Sequence, residues 1–320
     1  MELVTKKRLE LFAGRSHESL ATEIADHLGV ALGRPNLREF ANGEIHCRYE
    51  ESVRGADVFI IQTHCAPVNT SLMEQCIMID AAKRASAKRI TAVVPFYGYS
   101  RQDRKAEGRE PISAKLVANV LSAAGANRIV SVDLHSGQIQ GFFDGPVDHL
   151  FAMPVLEEYL ERECGGDVVV VSPDTGRVKT GERLAQRLGA DLASVYKQRS
   201  RGVVQARGVM GDVAGRRCVL IDDMIDTAGT IVAAADILME EGATDVWAMA
   251  THGVLSDPAV DRLKNSRISR VVITNTLPLP PEKQIDKIEV LSVANIIADA
   301  IDAVFEDTSV SEIFGGQNQI

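Results

Sequence analysis

No stretch of this sequence approaches the roughly 18 consecutive apolar residues of a membrane-spanning helix, so none is expected. Lys6, Lys7 and Arg8 stand near the start, but no long apolar run follows them, and a secretory signal is not expected either. Cysteine is scarce: the five are Cys47, Cys65, Cys76, Cys164 and Cys218. An odd count with no C-x-x-C pair argues against a disulfide framework or a zinc site. It suits small buried thiols in a reducing cytoplasm. Basic charge is not in excess, because 35 Lys and Arg face 44 Asp and Glu for a net charge of −9. That balance disfavours nonspecific nucleic-acid binding. What remains, 45% hydrophobic and 25% charged, is the make-up of an ordinary soluble globular protein. The 320 residues suffice for two domains.

The most informative stretch runs from Val219 to Thr230. Cys218 to Ile221 is a consecutive apolar run and predicts a buried strand. Asp222 and Asp223 are expected at its end, followed by a loop of Asp226, Thr227, Ala228, Gly229 and Thr230. An Ala-rich helical pattern from Ile231 to Glu241 then stops at Gly242. Strand, tight loop and helix N-terminus together can bind a phosphate through unpaired N–H groups. In open α/β sheets, ligands sit at the carboxyl ends of such strands. The acids would repel a phosphate unless they serve something else, and sugar hydroxyls or Mg²⁺ suit carboxylates. Ribose 5-phosphate, with vicinal hydroxyls at one end and a phosphate at the other, fits both halves. A solvated acidic turn capped by Asp226 and Thr227 is the plainer alternative.

Elsewhere, strands alternate with helices at the spacing of βαβ units, which predicts mainly parallel sheets. Strands are expected at Asp57–Gln62, Ile90–Pro95, Ile129–Ser136 with His135 at its end, Val168–Ser172, and Leu192–Tyr196. Helices are expected at Asn69–Ala87, Ser113–Ala124, Pro154–Arg162 and Thr180–Leu188. Asn42-Gly43 reads as a hairpin turn. The segment from Phe96 to Pro111 mixes aromatics with arginines, as a surface excursion or a nucleotide contact would. Lys197 to Gly202 reads as a basic loop. The pattern restarts near residue 150, which divides the chain into expected domains 1–150 and 151–320, two diverged copies of one α/β unit, with the last helix a candidate to pack back on the first.

Several of these segments carry one resemblance. Asp222-Asp223 followed by Asp226-Thr227-Ala228-Gly229-Thr230 resembles the phosphoribosyl-diphosphate loop of type I phosphoribosyltransferases and ribose-phosphate diphosphokinases. Phe40-Ala41-Asn42-Gly43-Glu44, Tyr99-Ser100-Arg101-Gln102-Asp103, and Asp133-Leu134-His135 with Gln138 to Phe143 resemble the diphosphokinases alone. Ser172-Pro173-Asp174-Thr175-Gly176 resembles their pyrophosphate loop, with Arg177 where a second glycine is usual. A bulky residue there could narrow the loop's conformations, or its charge could serve the diphosphate.

The resemblance implies two tandem phosphoribosyltransferase-like domains and a diphosphoryl transfer from Mg·ATP to ribose 5-phosphate. It implies that Lys197 and Arg199 act on the reacting phosphates, with Arg199 also near ribose 5-phosphate. Phe40, Asn42, Gly43, Glu44, Arg101 and Gln102 would hold ATP. Asp222, Asp223, Asp226, Thr227, Ala228, Gly229 and Thr230 would hold ribose 5-phosphate, and His135 and Asp174 would serve Mg²⁺. Ser52, Arg54, Lys105, Arg109, Ser136 and Gln138 match an inter-subunit anion site, where phosphate and ADP would act on a homo-oligomer, expected to be a hexamer. A phosphoribosyltransferase and a noncatalytic regulatory relative are the alternatives.

Overall fold

The computed structural model describes residues 7–164, 168–174, 176–200 and 203–314; for 197–200 and 203–207 it describes the backbone alone. The chain divides into two compact units, one of Met1–Phe151, Thr276–Pro278 and Val293–Ile320, the other of Ala152–Asn275 and Leu279–Ser292.

Unit one runs β1 (Leu9–Ala13), α1 (Glu18–Leu28), β2 (Leu32–Gly33), β3 (Asn36–Glu39), β4 (Ile45–Arg48), β5 (Asp57–Ile61), α2 (Val68–Arg84), β6 (Arg89–Val94), α3 (Ser113–Ala124), β7 (Arg128–Val132) and β8 (Val147–Leu150). Six strands form a parallel sheet in the order β2-β1-β5-β6-β7-β8. β3 and β4 pair apart as an antiparallel hairpin. Unit two runs α4 (Met153–Cys164), β9 (Val169–Ser172), α5 (Val178–Leu188), β10 (Asp191–Ser200), β11 (Val203–Met210), β12 (Arg217–Ile225), α6 (Gly229–Glu240), β13 (Asp245–Gly253), α7 (Ala259–Asn265), β14 (Arg270–Thr274) and β15 (Ile288–Leu291). Its sheet has the order β11-β10-β9-β12-β13-β14-β15, parallel except where β10 meets β11. The last helix, α8 (Ala294–Glu306), belongs to unit one.

These strands form because their sequences suit burial on both faces. Every residue of β5 and of β9 is buried, as a parallel sheet flanked by helices requires. Burying one such Val, Ile or Phe side chain is worth about 1.5–3 kcal/mol. Helices α1 and α5 end at Gly29 and Gly189, whose φ of 66° and 62° is the left-handed cap that glycine adopts without steric cost.

Leaving out β3, β4 and β11, both sheets have one wiring: the second strand lies outside the first, and the third lies on its other side. The order reverses between β1 and β5, and again between β9 and β12. Carboxyl ends of strands at such reversals are where α/β sheets take ligands.

Three of the boundaries that differ from the sequence expectation bear on the site. β12 continues past Ile221 to Ile225, so Asp222 and Asp223 lie within the strand, carried by pairing with β13. β10 continues past Tyr196 to Ser200, so Lys197 to Ser200 lie in a strand paired with β11, while Arg201 and Gly202 lie outside the described residues. β7 ends at Val132, and Asp133 turns the chain with φ 39°, leaving His135 beyond the strand.

Candidate active site

The β12–α6 junction carries the acids. Asp222 faces Ala250 across the β13 ladder, and Met224 faces His252. The chain leaves the strand at Asp226, and Ala228 takes the left-handed conformation, φ 59°, with no side-chain cap on the helix that starts at Gly229. The first N–H groups of a helix have no partner within it and carry the positive end of its dipole. Thr227 to Thr230 thus presents donors suited to a phosphate. Arg262, on α7, donates from Nη1 to the Thr227 carbonyl at 2.9 Å. A Cβ on Gly229 would stand 3.2 Å from that same nitrogen, so the close approach of Arg262 favours glycine there. The sequence reading missed Arg262, because 35 residues separate it from Thr227 and nothing local marks it.

The acid pair has a counter-ion from the β9–α5 turn. Arg177 Nε lies 3.3 Å from Asp222 Oδ1, and Nη2 lies 2.6 Å from Asp223 Oδ2. The Asp223 N–H also donates to Asp222 Oδ1 at 2.8 Å. Burial, then the neighbouring Asp223 carboxylate, push the Asp222 carboxyl up to about 8, against the opposing pull of Arg177. The acidic stretch, with no Lys or Arg of its own, receives cations from two other elements. Arg177 occupies the N-cap of α5 with φ −108° and ψ 4°, a conformation that needs no glycine. In the same turn, Asp174 Oδ1 accepts from the Gly176 N–H at 2.9 Å, and Ser172 Oγ donates to the Asp174 carbonyl at 2.6 Å. Thr175 lies outside the described residues.

Lys197 and Arg199 lie two positions apart on β10, opposite Ala206 and Val204 of β11, just beyond a register shift between Tyr196 and Lys197. Their side chains lie outside the described part of the structure.

In unit one, the β3–β4 turn is built as the Asn42-Gly43 pair predicts. Phe40 N–H donates to the Glu44 carbonyl, Gly43 N–H to the Phe40 carbonyl, both at 2.8 Å, and Gly43 takes φ 89°. The Glu44 N–H donates to Asn42 Oδ1 at 3.2 Å. Phe40 is 48% exposed, with the Arg38 guanidinium 5.5 Å from its ring centre and His46 edge-on at 6.1 Å. An exposed ring braced this way offers a face on which a base can stack.

The segment after β6 is anchored more firmly than its composition suggests. Tyr97 is buried, and its hydroxyl donates to the Ala114 carbonyl at 3.0 Å. Gln102 receives the Ala114 N–H on its carbonyl and the Ser113 hydroxyl on Oε1, which fixes the start of α3. Arg101, Gln102, Lys105 and Arg109 are exposed. Gln138 Nε2 donates to Asp103 Oδ2 at 2.7 Å, tying this segment to the 3₁₀ turn Gly137–Phe142. Ser52 and Arg54 are exposed between β4 and β5, and their carbonyls accept from Arg8.

Among the described residues, no group of three or more His, Cys, Asp or Glu forms a ready metal cage. Asp174, half-buried with one oxygen on the Gly176 N–H, still fits Mg²⁺, a hard cation that keeps waters and is bound by one or two carboxylates plus substrate phosphates. His135 is half-buried on the turn after β7. No helix among the described residues is long and apolar enough to cross a membrane.

Comparison with known proteins agrees with this geometry. The family model for the N-terminal domain of ribose phosphate pyrophosphokinase matches residues 9–125, and that for the phosphoribosyl synthetase-associated domain matches residues 205–315. A ribose-phosphate pyrophosphokinase of Streptomyces coelicolor is 58% identical over 316 residues, 98% of each chain. One from Caldanaerobacter subterraneus is 55% identical over 308 residues, 96% of this chain and 98% of that one. The crystal structure of phosphoribosylpyrophosphate synthetase from Mycobacterium smegmatis superposes with a TM-score of 0.90 at 55% identity, covering 94% of this chain and 100% of that one. The chain belongs to the ribose-phosphate pyrophosphokinase family.

Proposed function

We infer that this enzyme transfers the diphosphoryl group of Mg·ATP to O1 of ribose 5-phosphate, giving 5-phosphoribosyl 1-diphosphate and AMP for nucleotide biosynthesis. The observation that carries this reading is the β12–α6 junction, which puts hydroxyl-accepting acids and a phosphate-accepting helix start within nine residues, Asp222 to Thr230. Thr227 to Thr230 hold the 5-phosphate, and Asp222, Asp223 and Asp226 take the ribose hydroxyls. Phe40 stacks on adenine, with Asn42, Gly43, Glu44, Arg101 and Gln102 around ATP. Unit one thereby supplies the nucleotide contacts, and unit two the sugar and diphosphate contacts.

In the reaction, O1 attacks the β-phosphorus in line. The O1–Pβ bond forms, the bond from Pβ to the α–β bridging oxygen breaks, AMP leaves with that oxygen, and the O1 proton passes to solvent. Little covalent chemistry falls to the protein, so positioning and charge stabilisation dominate. Lys197 and Arg199 supply that charge, with Arg199 also reaching ribose 5-phosphate. Mg²⁺, when bound, neutralises phosphate charge, and Asp174 and His135 are the residues suited to hold it.

Regulation follows the same reading. Ser52, Arg54, Lys105, Arg109, Ser136 and Gln138 are proposed to form a second anion site for phosphate and ADP, completed in a homo-oligomer, a hexamer. The Gln138–Asp103 hydrogen bond, which brings two of the proposed segments together, supports this. The compartment is proposed to be the cytoplasm, in keeping with five cysteines that are all free thiols.

The test is to supply Mg·ATP and ribose 5-phosphate and identify the nucleotide released. AMP in step with a diphosphorylated ribose is expected; ADP as the sole nucleotide product would overturn the reading. Light scattering alongside initial rates across a dilution series tests the assembly. A fully active monomer would remove it.

A further inference from the structure

Arg177 has no role in the chemistry above, yet its placement is specific. Its guanidinium, only 19% exposed, bridges Asp222 and Asp223, whose side chains are 20% and 8% exposed. Adjacent carboxylates so far from water repel each other unless a fixed cation lies between them. Arginine suits this place because its rigid fork donates to both acids at once, whereas lysine offers one point charge. Unit one repeats the arrangement. Arg15 follows Gly14 after the first strand, as Arg177 follows Gly176, and its Nε donates to the buried Glu74 at 2.5 Å. Glu74 in turn accepts from Gln62, the residue just past β5. In unit one the arginine after β1 reaches the polar residue just past β5 through Glu74 of α2, and in unit two the arginine after β9 meets the acids of β12 directly.

We propose that Arg177 is a positioning residue for the ribose end of the site, holding the Asp222–Asp223 pair in place for sugar hydroxyls rather than meeting the diphosphate. Its Nε and Nη2 are already directed at the acids. The proposal rests on the assignment of ribose 5-phosphate to the β12–α6 junction.

Calorimetry with ribose 5-phosphate and, separately, Mg·ATP tests it on wild type, Arg177→Gly, Arg177→Lys, Asp223→Asn and the Arg177→Gly/Asp223→Asn double variant. Arg177→Gly is expected to weaken ribose 5-phosphate by about tenfold and Mg·ATP by less than about twofold, the scale of one lost charge-assisted contact. Arg177→Lys should fall between Gly and wild type. The double variant should bind no more weakly than the worse single, because both changes act through one pair. Unchanged ribose 5-phosphate affinity, an equal loss of Mg·ATP affinity, or additive losses would overturn the proposal. If the Gly variant fails to fold, the charge-keeping Lys variant decides. A loss confined to ribose 5-phosphate supports the proposal; wild-type affinity for both ligands, or a shared loss, overturns it. AMP formation by wild type is read separately. A protein that makes no AMP but loses ribose 5-phosphate binding in Arg177→Gly would overturn the function and keep this proposal.

Discussion

The two units share a wiring and differ at the end of the third parallel strand. In unit one, the first residues past β5 are Gln62, Thr63 and His64, all buried. Each is closed off by neutral or satisfied partners. Gln62 Oε1 accepts from the Ser16 hydroxyl at 2.6 Å, Thr63 donates to the Thr276 carbonyl at 2.7 Å, and His64 Nε2 meets Gln75 Oε1 at 2.9 Å. Burial holds the His64 imidazole down to about 4, so it is neutral at physiological pH. In unit two, the last part of β12 instead carries the acids Asp222 and Asp223, half-buried, with the Arg177 guanidinium against both. The antiparallel additions also follow the second parallel strand in both units: β3–β4 carries Phe40 and Glu44 at its turn, and β10–β11 carries Lys197 and Arg199. One fold, used twice, thus closes one junction with neutral hydrogen bonds and sets two carboxylates against an arginine at the other.

The sharpest way to break that contrast lies on β10. Lys197→Ala and Arg199→Ala should each lower kcat by about 10²–10⁴, the usual cost of removing one donor to transition-state charge, with the fold kept. Steady-state kinetics and circular dichroism read this, and activity within a factor of two would remove the assignment. Next comes the sealed junction. Glu74→Ala removes the buried acceptor of the Gln62 amide and of the half-exposed Arg15, and should cost about 1–3 kcal/mol in urea unfolding, with both KM values near wild type. Asp223→Asn should weaken ribose 5-phosphate binding with a smaller unfolding cost, because losing the Arg177 pair is offset by relief of the Asp222–Asp223 repulsion. If the two variants behaved alike, the distinction would fail. Asp226→Asn should weaken ribose 5-phosphate by about tenfold in calorimetry and Mg·ATP by less. Equal losses would indicate a collapsed loop. The smallest effect is on pH. Burial and the neighbouring Asp223 carboxylate push the Asp222 carboxyl up to about 8, above the range of an ordinary carboxylate. A hydroxyl donor prefers the ionised acceptor, so ribose 5-phosphate affinity should rise as pH goes from 7 to about 9. For stability the sign is opposite. The folded state binds the proton more tightly, so this group's contribution declines as pH rises from the usual carboxylate range through about 8.

Much of this was legible in the chain. Apolar runs such as Val168 to Val171 and glycine stops such as Gly125 and Gly189 fix strands and helices through short-range physics, and the Asn42-Gly43 hairpin formed where it was read. Strand ends were less legible because partners set them. Met224 and Ile225 pair with His252 and Gly253 of β13, which carries β12 past two aspartates that alone would read as a loop. Arg177 stood out as a departure from glycine, but its partners lie 45 and 46 residues further along, and only the sheet order brings them together. Arg262 carried no local signal. Tyr97 read as part of a charged excursion, but it is buried beneath α3.

Attack of the sugar O1 on the β-phosphorus is proposed above, and oxygen labelling reads it. Ribose 5-phosphate freshly labelled with ¹⁸O at C1 is turned over with Mg·ATP, and the product is followed by ³¹P NMR. The label is expected to stay in the product as the bridge between C1 and the diphosphate, with AMP unlabelled. A diphosphate ester without the label would place bond cleavage at C1, as in a phosphoribosyltransferase, and would contradict it.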